Sequence, residues 1–178
     1  MSSYITTSSK IHFTPVSPDP EQIVIRDIAH ALSLMTRANG HFPEFYSVGQ
    51  HCIHCYEEAV ARKYSPFLCK ACLLHDASEA YLADITRPVK QFLPGYLEIE
   101  KRLQDTIYEK FLGRVPTETE QTAISSVDDT LLYYEFDHYM GEKLMEQAPL
   151  LVTDPAFETL PFAQVEQEFL DLFATLTV

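Results

Sequence analysis

Apolar positions recur at helical intervals along most of the chain. Ile28, Ala29, Leu32 and Met35 share one face of a first helix, which the pattern ends near Asn39-Gly40, a natural C-terminal stop. A second helix is expected from Ser47, with Val48, Cys52, Cys55 and Ala59 spaced by four, three and four. Ser65-Pro66 supplies an N-cap and a first-turn proline for a third helix carrying Leu68, Cys72, His75, Glu79 and Leu82. Pro88 and Pro94-Gly95 interrupt the pattern. Ile99, Leu103, Ile107 and Phe111 then repeat every fourth residue up to Gly113. Thr117 with Glu120 makes a capping box for a long helix towards Gly141. A last amphipathic segment starts at about Phe162, with Val165, Phe169, Phe173 and Leu176 on its inner face. Before Asp27 the pattern is irregular. Phe13, Val16 and Ile23-Val24-Ile25 are separated by Pro15, Ser17, Pro18, Asp19 and Pro20, which predicts a short hairpin or extended arm. The whole pattern predicts a compact all-α bundle of about six helices, with residues 1–178 as a single domain.

Composition agrees with a packed core: 46% of residues are hydrophobic and 22% charged. The formal net charge of −13 bears on function, since polymeric nucleic-acid binders need a basic stripe that this chain lacks. A small phosphorylated substrate is compatible with that charge when one cation and a few basic groups hold it locally. The N-terminus has neither the basic flank nor the apolar run of a secretory signal, and no stretch approaches the roughly 20 apolar residues of a membrane span. A cytoplasmic protein without membrane contact is expected.

Cys52 and Cys55 form one CxxC pair, and Cys69 and Cys72 another. That spacing approaches a four-cysteine zinc site. Both pairs, however, fall within helical segments without a glycine knuckle, where cysteine serves as a small apolar filler. A disulfide is disfavoured in a reducing compartment.

The segment LLHDASEAYLAD, residues 73–84, carries the densest candidate chemistry. On a helix His75 and Asp76 would lie about 100° apart, with Glu79 over the same region one turn later. Burying three ionisable groups among Leu73, Leu74, Tyr81 and Leu82 costs several kcal/mol unless they share a partner such as a divalent cation. His51 sits beside Cys52 on the preceding helix. In AISSVDDTLLYYEF, Asp128 shares a face with Ile124, Val127, Leu131 and Glu135, while Asp129 is turned about 100° away. Helical phase therefore prefers Asp128 as the inward group; the alternative is that both aspartates cap or solvate a bend.

The order His51, then His75-Asp76, then Asp128 resembles the HD superfamily of metal-dependent phosphohydrolases. More narrowly, TRANGHFPEFYSVGQH followed by LLHDASEAYLADITRPVKQFLPGYLEIEK is similar to the 5′-deoxynucleotidase-like branch of bacteria and phages, as are KIHFTPVSP and IVIRDIAHALS. The resemblance runs from about Lys10 to Glu135, carried by SVxQH, HDASEAYxxD, PVK and the downstream Asp with Glu seven residues on.

The resemblance implies one divalent metal held by His51, His75, Asp76 and Asp128. That donor set suits Mn²⁺, Co²⁺, Fe²⁺ or Ni²⁺, and admits Zn²⁺. It implies that Glu79 orients or deprotonates the attacking water, that Arg37 takes the phosphate and that Asp84 binds the sugar 3′-hydroxyl. Arg37 read alone could equally stabilise carbonyls near Gly40, and Asp84 could cap a turn. Lys90, in PVK, is a further phosphate candidate, and His41 has no definite role. The implied reaction is metal-dependent hydrolysis of 2′-deoxynucleoside monophosphates; removal of triphosphate from a deoxynucleoside triphosphate is the alternative on the same site. A homo-oligomer, dimer or higher, is implied as well. The chain departs from the family where Ala38 follows Arg37 in place of a large aromatic, so deoxyribose selection would fall to Phe42 or Tyr46 or be relaxed. Two readings of other classes compete: a zinc-binding adaptor built on the CxxC pairs, and a non-catalytic nucleotide sensor.

Overall fold

Ser47 and Ser65 each turn the chain into a helix by accepting a backbone N–H, from Gln50 at 3.0 Å and from Leu68 at 3.3 Å. These caps start two of the seven α-helices that the computed structural model contains among the described residues, 3–175. The helices are α1 (Ile25–Leu34), α2 (Val48–Ala61), α3 (Pro66–Leu73), the single turn α4 (Arg87–Lys90), α5 (Pro94–Leu112), α6 (Glu118–Met140) and α7 (Phe162–Thr175). Ahead of them, β1 (Ile5–Thr6) pairs antiparallel with β2 (His12–Phe13) in a small hairpin. The fold is all-α with a short N-terminal hairpin, as the hydrophobic pattern predicts.

Helix α2 is the hub and packs against α1, α3, α6 and α7. Its Gly49 allows the closest approach: a Cβ there would lie 3.1 Å from the Leu32 carbonyl carbon, the Ser33 nitrogen and Val165 Cγ1. Two of those atoms are α1 backbone and cannot rotate aside. Gly49→Ala is therefore expected to lower stability by about 1–2 kcal/mol in urea titrations, although alanine is the better helix former by about 1 kcal/mol.

Three boundaries differ from the sequence expectation. Helix α1 stops at Leu34, not at Asn39-Gly40. Met35 and Thr36 are extended, Thr36 bridges to Ser47, and the Arg37 N–H donates to the Tyr46 carbonyl at 2.9 Å. Ala38 and Asn39 then take left-handed backbone at φ 50°, so the turn swings the Arg37 side chain inward, where it is buried. Pro94 starts α5 where the pattern suggested an interruption, its missing N–H costing nothing in a first turn. The third difference lies at the candidate site. Helix α3 ends at Leu73, so His75 and Glu79 do not continue it; Ala77–Ala80 form a separate short 3₁₀ turn.

The remaining stops are where the pattern puts them. Gly113 and Gly141 end α5 and α6 in left-handed conformation, and Thr117 and Glu120 form a reciprocal capping box. Val165 and Phe169 of α7 are buried; Leu176, expected on the same face, lies outside the described residues. All four cysteines are free and buried, Cys52 and Cys55 on α2, Cys69 and Cys72 on α3. Among the described residues no helix is long and apolar enough to cross a membrane.

Candidate metal centre

The His75 side chain caps its own helix. Its Nδ1 donates to the Cys72 carbonyl at 2.7 Å, satisfying one of the carbonyls left open at the end of α3. Gln104 of α5 clamps the turn that follows, donating to the Leu74 carbonyl at 2.8 Å and accepting from the Ser78 N–H at 3.0 Å. The turn thus carries His75 and Asp76 under α2 and α6 by tertiary contacts, where a helical phase of 100° was expected.

On α2, His51 is fully buried and its Nδ1 faces Glu135 Oε1 of α6 at 2.5 Å. With Nδ1–H committed to a carboxylate on His51 and to a carbonyl on His75, the neutral imidazoles each present a bare Nε2. The two Nε2 atoms are 3.3 Å apart. Asp128 Oδ1 lies 3.1 Å from His51 Nε2 and 3.7 Å from His75 Nε2, and Asp76 Oδ2 lies 3.9 Å and 3.3 Å from the same atoms. Donors held about 2.1 Å from one ion stand about 3.0–4.2 Å apart in octahedral geometry. The five distances given above, 3.1–3.9 Å, fall within that range.

Electrostatics points the same way. Burial opposes a charge on either imidazole, as Arg37 does at His51, yet the acidic groups around them raise both pKa values well above the usual histidine range. Burial would also raise Asp128, but the two histidines outweigh it and hold its carboxyl well below the ordinary value. Two lone pairs between two carboxylates draw positive charge, which protons or a metal ion can supply. Buried His, Cys and Asp groups that could hold a metal are thus present, and two such groupings each include a cysteine: His51–Cys55–His75 and Cys52–His75–Asp76. Neither includes Cys69 or Cys72, so among the described residues no four-cysteine cluster forms.

The other predicted residues surround this cluster. Arg37 Nη1 lies 3.4 Å from Asp76 Oδ2 and Nη2 3.4 Å from Glu135 Oε2, so it braces the site instead of capping a helix end. Lys90 is held between Glu100 at 2.6 Å and Glu79 at 3.4 Å. Among the described residues, Glu79 Oε2 is buried with no hydrogen-bond partner. Asp84 and Phe42 line a cavity of about 330 Å³ together with Arg37, Arg87 and Phe136. A second cavity, of about 630 Å³, opens beyond it and carries Glu100, Asp105 and Glu118; Asp76, Glu79, Lys90 and Asp128 border both. Tyr46 is fully buried with its hydroxyl 2.8 Å from His54 Nδ1, and His41 is exposed. Asp129 turns away from the histidines and pairs with Arg87 at 2.6 Å, while Arg87 also holds Asp128 Oδ2 at 2.7 Å.

Sequence reasoning gave no role to Glu135, Gln104, Glu100 or Arg87. Only Glu135 left a signal, a charge on the inner face of α6 seven residues after Asp128.

Glu79 makes the site sensitive to pH. Burial first, then the neighbouring Asp76 and Asp84 carboxylates, push it up to about 9 against the pull of Lys90, from an ordinary 4.5. Between those values the folded metal-free protein holds a proton that the unfolded chain releases. Stability should therefore fall as pH rises through that window, by up to about 1.4 kcal/mol per pH unit. Urea titrations of metal-free protein at pH 6 and pH 8 are expected to show wild type losing ground to Glu79→Gln, which has no proton to lose. An unchanged difference would refute the shift.

The protein is all-helical, and His51, His75, Asp76 and Asp128 come together in groups that could hold a metal. The chain belongs to the family of the uncharacterized protein RCAP_rcc00048 of Rhodobacter capsulatus, with which it is 32% identical over 169 residues, 86% of this chain and 85% of that protein. It is also 39% identical over 109 residues to the uncharacterized protein YfdR of Escherichia coli K12, a match covering 61% of this chain and 58% of that relative's length. No family model matches the chain.

Proposed function

We propose that the protein is a metal-dependent nucleotide phosphohydrolase of the HD type, with 2′-deoxynucleoside monophosphates as its substrate class. The observation that carries the metal centre is the pair of buried Nε2 atoms, 3.3 Å apart and flanked by Asp76 and Asp128. One ring bonds Glu135 and the other the Cys72 carbonyl through Nδ1, so both Nε2 atoms are left to face the carboxylates, and no neutral arrangement of protein groups alone pairs both.

A divalent cation bound there supplies Lewis-acid polarisation of a phosphoryl oxygen and makes water a better nucleophile. The residues around it have separable tasks. Arg37 is oriented by Asp76 and Glu135, and its planar guanidinium suits a phosphate. With Arg87 and Lys90 it offsets the acidic field locally, which is how a chain of net charge −13 would hold an anion. Glu79 has a free carboxyl oxygen with which to hold or pass a proton. Asp84 offers an acceptor to a sugar hydroxyl, and Phe42 and Phe136 give the cavity an apolar wall for a nucleoside. The reading carries with it a cytoplasmic location and a homo-oligomer in solution.

The test is turnover of ribo- and deoxynucleoside mono-, di- and triphosphates, with the released product identified as phosphate, pyrophosphate or triphosphate. Activity should vanish with a chelator and return with Mn²⁺ or Co²⁺. Release of triphosphate would move the substrate to deoxynucleoside triphosphates. Absence of turnover on every nucleotide with every metal would overturn the enzyme reading.

A further inference from the structure

Cys55 follows His51 by one turn of α2, so the two side chains leave the helix on the same side. Its Sγ lies 3.4 Å from His51 Nε2, and the sulfur and one ring nitrogen from each of His51 and His75 fall within 4.8 Å of one another. A thiolate and an imidazole on one zinc-like ion stand about 3.1–3.6 Å apart, given bonds of about 2.3 and 2.05 Å. The sulfur is buried and lies beside the cluster. Nothing in the hydrolytic reading uses it.

We propose that Cys55 is a metal donor, giving the centre an N₂S core with His51 and His75 that takes thiophilic divalent ions. This rests on the metal-centre reading above and sharpens which ions it favours. Thiolate ligation favours Zn²⁺ or Cd²⁺ over the hard ions that carboxylates alone attract. On binding, the thiol proton leaves to solvent and a metal–sulfur bond forms, with no change of oxidation state. Cys52 is the other sulfur near the cluster, grouped with His75 and Asp76 and hydrogen-bonded to His75, and the variants below separate the two.

Co²⁺ substitution reads this directly, because a thiolate donor adds a near-ultraviolet sulfur-to-cobalt charge-transfer band to the visible d–d bands. Metal-free protein is titrated with Co²⁺ and binding counted by equilibrium dialysis. The expected result is one Co²⁺ per chain with the charge-transfer band, lost in Cys55→Ser and Cys55→Ala and kept in Cys52→Ser and in the Cys69→Ser/Cys72→Ser double variant. Bound Co²⁺ with visible bands and no charge-transfer band in wild type overturns the sulfur assignment and leaves the metal centre standing. A band lost only in Cys52→Ser also overturns it, and absence of Co²⁺ binding overturns both readings. The wild-type spectrum alone decides between band and no band, so the test survives a Cys55 variant that fails to fold.

Discussion

Asp76→Ala is expected to reduce metal-dependent turnover by about a thousandfold or more, while the adjacent-carboxylate control Asp129→Ala stays within several-fold of wild type. Asp76 Oδ2 lies 3.3 Å from His75 Nε2 and 3.4 Å from Arg37 Nη1, so its loss removes one proposed donor and loosens the Arg37 guanidinium together. Removing groups that merely support metal ligands already weakens metal binding by about 10–100-fold, and a direct donor should cost more. Lewis-acid stabilisation worth several kcal/mol corresponds to about three orders of magnitude in rate. Asp129 pairs with the exposed Arg87 and makes no ion pair with the histidines among the described residues. Steady-state rates with saturating Mn²⁺, beside calorimetric Mn²⁺ affinities, check both variants. Full metal-dependent turnover by Asp76→Ala would sink the ligand assignment.

The parts of the fold that were legible in the sequence are those written in local hydrogen bonds. Ser47, Ser65 and the Thr117–Glu120 box each close a helix start within three residues, and Gly113 and Gly141 end helices through their own backbone freedom. The misplaced boundaries depend on distant partners. Helix α1 ends early because strand-like bonds join Thr36 and Arg37 to Ser47 and Tyr46, and α3 ends because His75 and Gln104 capture its last carbonyls.

The candidate site divides along the same line. Helical phase distinguished Asp128 from Asp129 because α6 is regular there: both carboxylates pair with Arg87, and Asp128 also reaches the histidines. The expected convergence of His75 and Asp76 on one helix face was the wrong geometry for residues that do meet. Glu135 and Arg87 act from other elements, and a linear pattern carries no record of what they face. The CxxC spacing approached a zinc site and its helical context pointed to filler; only the fold puts Cys55 beside His51.

Glu135→Ala is expected to lower stability by about 3–5 kcal/mol at neutral pH, the scale for removing one partner from a buried charged set. Glu135 is fully buried and holds two cationic or donating groups at once, His51 Nδ1 at 2.5 Å and Arg37 Nη2 at 3.4 Å. Its removal leaves His51 Nδ1 without an acceptor and Arg37 with Asp76 alone. Burial alone would raise its pKa, but His51 and Arg37 outweigh burial and hold it down to about 2, from an ordinary 4.5. A depressed carboxylate stabilises fully above its unfolded value and loses that contribution as pH falls towards its folded one. The gap between wild type and Glu135→Ala in urea titrations should therefore be widest above pH 5 and shrink below it, by up to about 1.4 kcal/mol per pH unit. Glu135→Gln keeps one acceptor oxygen for His51 without the charge, so it should fall between the two. Metal affinity should follow the same order, dropping about 10–100-fold in the alanine variant, because without Glu135 nothing fixes the His51 tautomer that exposes Nε2. Wild-type stability in Glu135→Ala, or a gap that does not change between pH 5.5 and pH 3.5 (to within about 0.5 kcal/mol), would mean that the His51–Glu135–Arg37 contact does not organise the centre.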